Sequence, residues 1–127
     1  MNIFESLKNL NVSEDCFNEI VSIIEDEIHD LKAERRHYDK KVKGLEGELK
    51  RARKASSDSR IDLMSKDMDY TFSIRPEEKE RLKKEIADAE VRDKTFQDRA
   101  NDVDRRLQDT RKKRFEVQDK VNKMVKN

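Results

Sequence analysis

Apolar side chains recur along most of this chain at alternating steps of four and three. From Phe17 the series runs Val21, Ile24, Ile28, Leu31, Arg35, Tyr38, Val42, Leu45, Leu49 and Ala52, broken only by Arg35. Beyond Pro76 it resumes as Leu82, Ile86, Ala89, Asp93, Phe96, Ala100, Val103, Leu107, Thr110, Arg114, Val117, Val121 and Met124. Its polar members are Asp93, Thr110 and Arg114. This step marks a coiled-coil seam, in which one narrow stripe of each helix faces a partner. It predicts two long helices, over 13–55 and 76–125. Asn11 or Ser13 suits the cap of the first, with Glu14 and Asp15 in its first turn, and Pro76, Glu77 and Glu78 suit the opening of the second.

Phe4, Leu7 and Leu10 share a helical spacing, so residues 1–11 are expected to form a short helix docked on the first long one. There Cys16, Ile20 and Ile23 make a second apolar stripe, and Phe115 and Val125 fall off the main seam in a position to close the cluster. Residues 56–75 are the expected connection, and two readings of them stand. Met68, Tyr70, Phe72 and Ile74 alternate with polar residues, as in a β-hairpin. Ile61, Met64 and Met68 fit a helical extension equally well. On either reading the segment holds more apolar side chains than a connection needs. Ile61, Met68, Tyr70, Phe72 and Ile74 are therefore the expected partner-binding residues, with Phe115 as an off-seam contact. The expected fold is mainly all-α: a single elongated domain over 1–127, built as a long antiparallel coiled-coil helical hairpin with a short N-terminal helix and, on the first reading, a small β element at the tip.

Composition supports a thin core. Charged residues make up 46% of the 127 and hydrophobic ones 33%, with two glycines, one proline and no tryptophan. A globular domain is ordinarily about a quarter charged, and a multi-stranded sandwich or doubly wound sheet needs more turn residues than these.

Charge order favours an antiparallel pairing. Residues 1–30 hold Lys8 against eight acids, and 31–55 hold ten bases against four acids. Residues 77–104 hold seven bases against ten acids, and 105–127 nine against three, so the second helix changes sign in the reverse order. Setting Leu49 opposite Leu82 gives a register in which Arg35 meets Phe96, Tyr38 meets Asp93 and Arg114 covers Phe17. The acidic run Glu25, Asp26, Glu27 and Asp30 is then expected to complement Arg111, Lys112, Lys113 and Arg114.

The candidate chemistry is sparse. Gly44 and Gly47 lie within the first predicted helix, so they make no phosphate loop. His29 and His37, eight residues apart, are roughly 12 Å apart along a helix and share no metal. Cys16, the single cysteine, is expected as a small apolar filler in a reducing compartment. No cofactor, metal or small-molecule substrate is expected, and the chain is read as non-enzymatic. The net charge of +1 gives no global field toward nucleic acid or an anionic membrane. The local nucleic-acid signal is Arg111, Lys112, Lys113 and Arg114 with Lys50, Arg51, Arg53 and Lys54. Against it stand the matched acids, the separation of the two clusters at opposite ends, and the lack of interleaved aromatics. No run of residues reaches the roughly 18 apolar positions of a membrane span, and a cytoplasmic location is expected.

The layout of residues 17–125, a helix, a small β element and a second helix returning antiparallel, resembles that of the β-type prefoldin subunit. That resemblance implies assembly through the β-hairpin and holding of unfolded clients by the free coil ends. The extra N-terminal helix departs from it. The opening LNVSEDCFNEIVSIIEDEI is similar in character to small proteins of bacterial and prophage genomes. The expected function is protein binding, as an adaptor, scaffold or inhibitor, with a prefoldin-like oligomeric chaperone and a nucleic-acid-binding accessory protein as alternatives. The partner is a protein or a second copy of the chain.

Overall fold

A computed structural model describes residues 3–9 and 13–126. It is an all-α helical hairpin: α1 spans Ile3–Lys8, α2 Glu14–Phe72 and α3 Pro76–Lys126, with no strand among the described residues. Ser13 begins α2, its Oγ accepting from the Cys16 amide at 3.2 Å and its carbonyl from the Phe17 amide at 2.9 Å. The hydroxyl thereby satisfies one of the four otherwise orphaned amides at that end, and the carbonyl accepts the first regular helical bond. Asn11, the other candidate cap, and Leu10 lie outside the described residues. Pro76 opens α3 with Glu77 and Glu78 behind it, where its missing amide costs no helical bond and the acids face the positive end of the dipole.

The chain packs as two units, Gly44–Leu107 and the flanking Met1–Lys43 with Gln108–Asn127. In the first, α2 and α3 are joined by residues 73–75 alone. The predicted boundary at residue 55 is therefore corrected, because helix continues through 56–72 and the β reading of the tip is not realised. The physical reason lies in the seam. After Ala52 the same step of four and three continues as Ser56, Ser59, Leu63, Lys66, Tyr70 and Ser73, and all of these but Tyr70 are half-buried. Nothing from 55 to 72 is Gly or Pro, so Ser65, Lys66 and Asp67 lack the glycine that the positive φ of a two-residue hairpin turn favours. Leu49, Ala52, Leu82, Ala89, Ala100, Val103 and Leu107 make the apolar part of this core.

Asp93 is its exception. It is buried at 8% exposure, and Gln97 Nε2 donates to its Oδ2 at 3.0 Å while Oδ1 has no partner. The hydroxyl of Ser73, at the turn, is the other buried polar atom without one among the described residues.

In the flanking unit Ile28, Val42, Val117 and Val121 are buried, with Thr110 as the polar member. Here Arg35 Nη1 donates to Gln118 Oε1 at 2.7 Å, and Arg114 meets Asp39 at 3.6 Å. Stepping four residues forward on α2 therefore means stepping four back on α3, which is antiparallel pairing. Phe4 and Leu7 of α1 are half-buried, as are Phe17, Ile20, Val21 and Ile24 of α2. Cys16, Ile23, Phe115 and Val125 are exposed instead, so they do not close the apolar cluster expected of them.

The register differs from the expected one by about three heptads. Arg35 faces Gln118 and Arg114 faces Asp39, while Phe96 borders a groove with Arg51, Ala55 and Arg99. A seam that repeats every seven residues matches itself equally well after any whole-heptad slip. Connection length breaks the tie: with three residues in place of twenty, residues 56–72 join the helix and each α2 residue meets a partner farther along α3. Burial holds the helices together, since two ion pairs across the seam, Arg53 with Asp104 at 4.0 Å and Arg114 with Asp39 at 3.6 Å, join side chains 41% to 65% exposed. Such pairs contribute about 0 to 1 kcal/mol each.

Candidate functional site

A helix that commits one stripe to a seam shows the opposite face to solvent, and near the turn that outer face of α2 is apolar. Ile61, Met64, Met68 and Phe72 follow at steps of three, four and four, which keeps them on one side. They are 63%, 60%, 60% and 76% exposed, and Ile74 in the turn is 93% exposed. The four side chains on α2 make one exposed apolar stripe, and the largest apolar patch of a protein surface is often a functional one. Asp58, Asp62 and Asp69 run along one edge at steps of four and seven. Asp62 Oδ2 is held by Lys66 Nζ at 3.1 Å.

Of the residues singled out for the tip, the structure thus gathers Ile61, Met68, Phe72 and Ile74, adds Met64, and sets Tyr70 apart. Tyr70 lies at a seam position, 37% exposed, with Lys79 Nζ 5.6 Å from its ring centroid. It closes the turn from within, together with the Ser73 amide, which donates to the Tyr70 carbonyl at 3.3 Å. The helical step already placed Met64 between Ile61 and Met68, whereas the alternation of a strand hid it.

Phe115, also singled out, is 71% exposed on α3 and borders a groove of about 390 Å³ with Arg35, Asp39, Arg111, Arg114 and Gln118. The basic residues divide between the two units. Arg111, Lys112, Lys113 and Arg114 lie in the flanking unit; Lys50, Arg51, Arg53 and Lys54 lie in Gly44–Leu107. Lys50 and Lys54 are exposed, Arg53 reaches Asp104, and Arg51 borders the Phe96 groove. The expected complement to Arg111–Arg114 is corrected by the register. Asp30 precedes Asp39, the partner of Arg114, by nine residues, or roughly 13 Å along the helix, and Glu25, Asp26 and Glu27 lie farther still.

A second groove of about 470 Å³ in Gly44–Leu107 is lined by Arg53, Ser57, Arg60, Gln97, Asn101 and Asp104. Its hydroxyls and amides are set beside neither an imidazole nor a thiol. His29 and His37 are exposed, and among the described residues no three His, Cys, Asp or Glu side chains are grouped to hold a metal ion. No described helix is long and apolar enough to cross a membrane. No family model, no curated protein and no solved structure matches the chain.

Proposed function

We propose that this chain is a non-catalytic protein-binding module, an adaptor, scaffold or inhibitor whose contact surface is the outer face of α2 next to the turn. The observation that carries this reading is the exposure of Ile61, Met64, Met68 and Phe72 on one face of α2, with Ile74 exposed in the turn that follows, each at 60% or more. Two methionines in the stripe suit a surface that adapts to its partner, because the unbranched thioether repacks readily. The partner that fits is itself an amphipathic helix laid lengthwise along the stripe. Asp58, Asp62 and Asp69 favour Lys or Arg along the facing edge, where charge sets partner choice and encounter rate more than affinity. The exposed free thiol of Cys16 fits a reducing, cytoplasmic setting. The prefoldin-like alternative draws less support, since the segment that would supply its β-hairpin is helical.

The test uses two synthetic helical peptides with the same leucine stripe, one edged by Lys and one by Glu. The Lys-edged peptide is expected to bind at about 150 mM salt, and the triple variant Ile61→Ser, Met68→Ser, Phe72→Ser to lose it with an unchanged helical spectrum. Equal binding by the triple variant would sink the reading. A mass that rises with concentration in light scattering, and does so only with the stripe intact, would identify the partner as a second copy.

A further inference from the structure

The observed register brings basic stretches of both long helices side by side. On α2 Lys32, Arg36, Asp39 and Lys43 follow at steps of four, three and four, and on α3 Arg111, Phe115, Gln118 and Asn122 do the same. Each is a stripe beside the seam. Asp39 and Arg111, Phe115 and Gln118 border one groove, together with the seam residues Arg35 and Arg114. The two stripes therefore flank the same groove and share a face. On that face Lys32, Arg36 and Lys43 of the α2 stripe accompany the seam residues Arg35 and Arg114, and the acid Asp39 meets Arg114 at 3.6 Å. In its midst Phe115 holds its ring in solvent at 71% exposure.

Burial explains none of this. An exposed phenyl among guanidinium groups contributes nothing to the seam, and the groove around it offers no other apolar side chain for a hydrophobic anchor to join. The arrangement does suit a ligand that alternates flat rings with anionic groups. We propose that this face binds single-stranded nucleic acid, with phosphates along the basic α2 stripe and the Arg35 and Arg114 side chains of the groove, and a base stacked on Phe115. Arginine forks match phosphate oxygens in pairs, and a ring face accepts any base, so the site reads backbone and stacking but not sequence. An acidic protein segment would satisfy the charges and leave Phe115 unused. Two of the objections from sequence fall with the register. The acids expected to neutralise Arg111–Arg114 lie elsewhere, and the bases facing that run come from residues 32–43 of the other helix. The third is met by Phe115 itself.

The test is fluorescence anisotropy of a short labelled oligothymidylate on the full chain, repeated across salt. Binding is expected at about 150 mM salt, with log K falling linearly in log salt by about 0.7 per phosphate neutralised. Phe115→Ala should weaken binding about tenfold or more at an unchanged salt slope, and Phe115→Trp should restore it. Arg36→Glu with Lys43→Glu should flatten the slope. All three positions are exposed, so melting should be unaffected, and Ile61→Ser with Phe72→Ser should leave this binding intact whatever it does at the tip. Absence of binding at about 150 mM salt would overturn the proposal. So would Phe115→Ala binding like wild type while polyglutamate displaces the oligonucleotide at equal charge, which would assign the face to an acidic protein segment.

Discussion

Asp93 offers the sharpest energetic test of the seam. It occupies a core position between Ala89 and Ala100, 8% exposed, and one of its carboxylate oxygens has no partner. Leaving such an atom buried costs about 1 to 3 kcal/mol, and Asp93→Leu removes that cost. The new side chain gains about 1.5 to 3 kcal/mol by burial. Two losses oppose it: the bond from Gln97 is worth about 1 kcal/mol, and fitting extra methyl groups costs about 1 to 3 kcal/mol. The small seam neighbour Ala89 keeps the fitting cost toward the low end, and Gln97 is half-exposed, so water replaces its lost acceptor. The net expectation is a gain of about 2 kcal/mol. For a chain of this length that raises the midpoint of thermal unfolding by roughly 6 to 10 °C. Asp93→Asn keeps the shape, removes the charge and should gain about half as much. Circular dichroism melts of the three proteins decide the matter. A midpoint for Asp93→Leu at or below wild type would show that the carboxylate is satisfied where the structure leaves it bare.

Leu107→Ala should cost about 2 to 5 kcal/mol in urea unfolding, since Leu107 is among the most completely buried side chains at 2% exposure and the void it leaves lies inside the seam. Gly44→Ala should stabilise by about 1 kcal/mol, because Gly44 is helical without positive φ and a Cβ there meets nothing within 4 Å; a loss of stability would point to a neighbour packed against that spot. The register predicts that Leu31→Cys with Val121→Cys, in a Cys16→Ser background, forms a disulfide within one chain. Mass spectrometry of the oxidised, unreduced protein that showed only free thiols or crosslinked dimers would contradict the pairing of Arg35 with Gln118. Ile61→Ser, alone or with Phe72→Ser, should change the unfolding free energy by no more than about 0.5 kcal/mol per residue in urea unfolding, as expected for contacts made to a partner.

What could be read in the sequence is the seam itself. Ile28, Val42, Leu49, Ala52, Leu82, Ala89, Val103, Leu107, Val117 and Val121 were all placed on it by spacing, and all are buried. Asp93 and Thr110 were read as its polar members, and they are buried too. The extent of the seam was hidden because Ser56, Ser59 and Lys66 continue the step with polar side chains, and a search for apolar residues stops at Ala52. The register followed from that error, since a helix ended at 55 implies a long connection and a different pairing. Of the two readings of the tip, the strand one sets Met68, Tyr70, Phe72 and Ile74 on one face, whereas the helical one, which α2 bears out through Phe72, parts Tyr70 from Met68 and Phe72. The basic face around Phe115 escaped notice because it exists only when two distant segments, 32–43 and 111–118, are correctly aligned.

The connection of residues 73–75 also dictates how the chain finds its structure. Its brevity means that the first side chains to meet are near neighbours in sequence, and each further layer closes beside one already made. The layers nearest the turn set the polar Ser73, Lys66, Ser59 and Asp93 beside Leu63, Leu82, Ile86 and Ala89. The layers of Leu49, Ala52, Ala100, Val103 and Leu107, with no polar member among them, close later and add burial against the loss of freedom. The hairpin thus begins at its cheapest point to close, and its purely apolar layers lie several turns away from where folding starts.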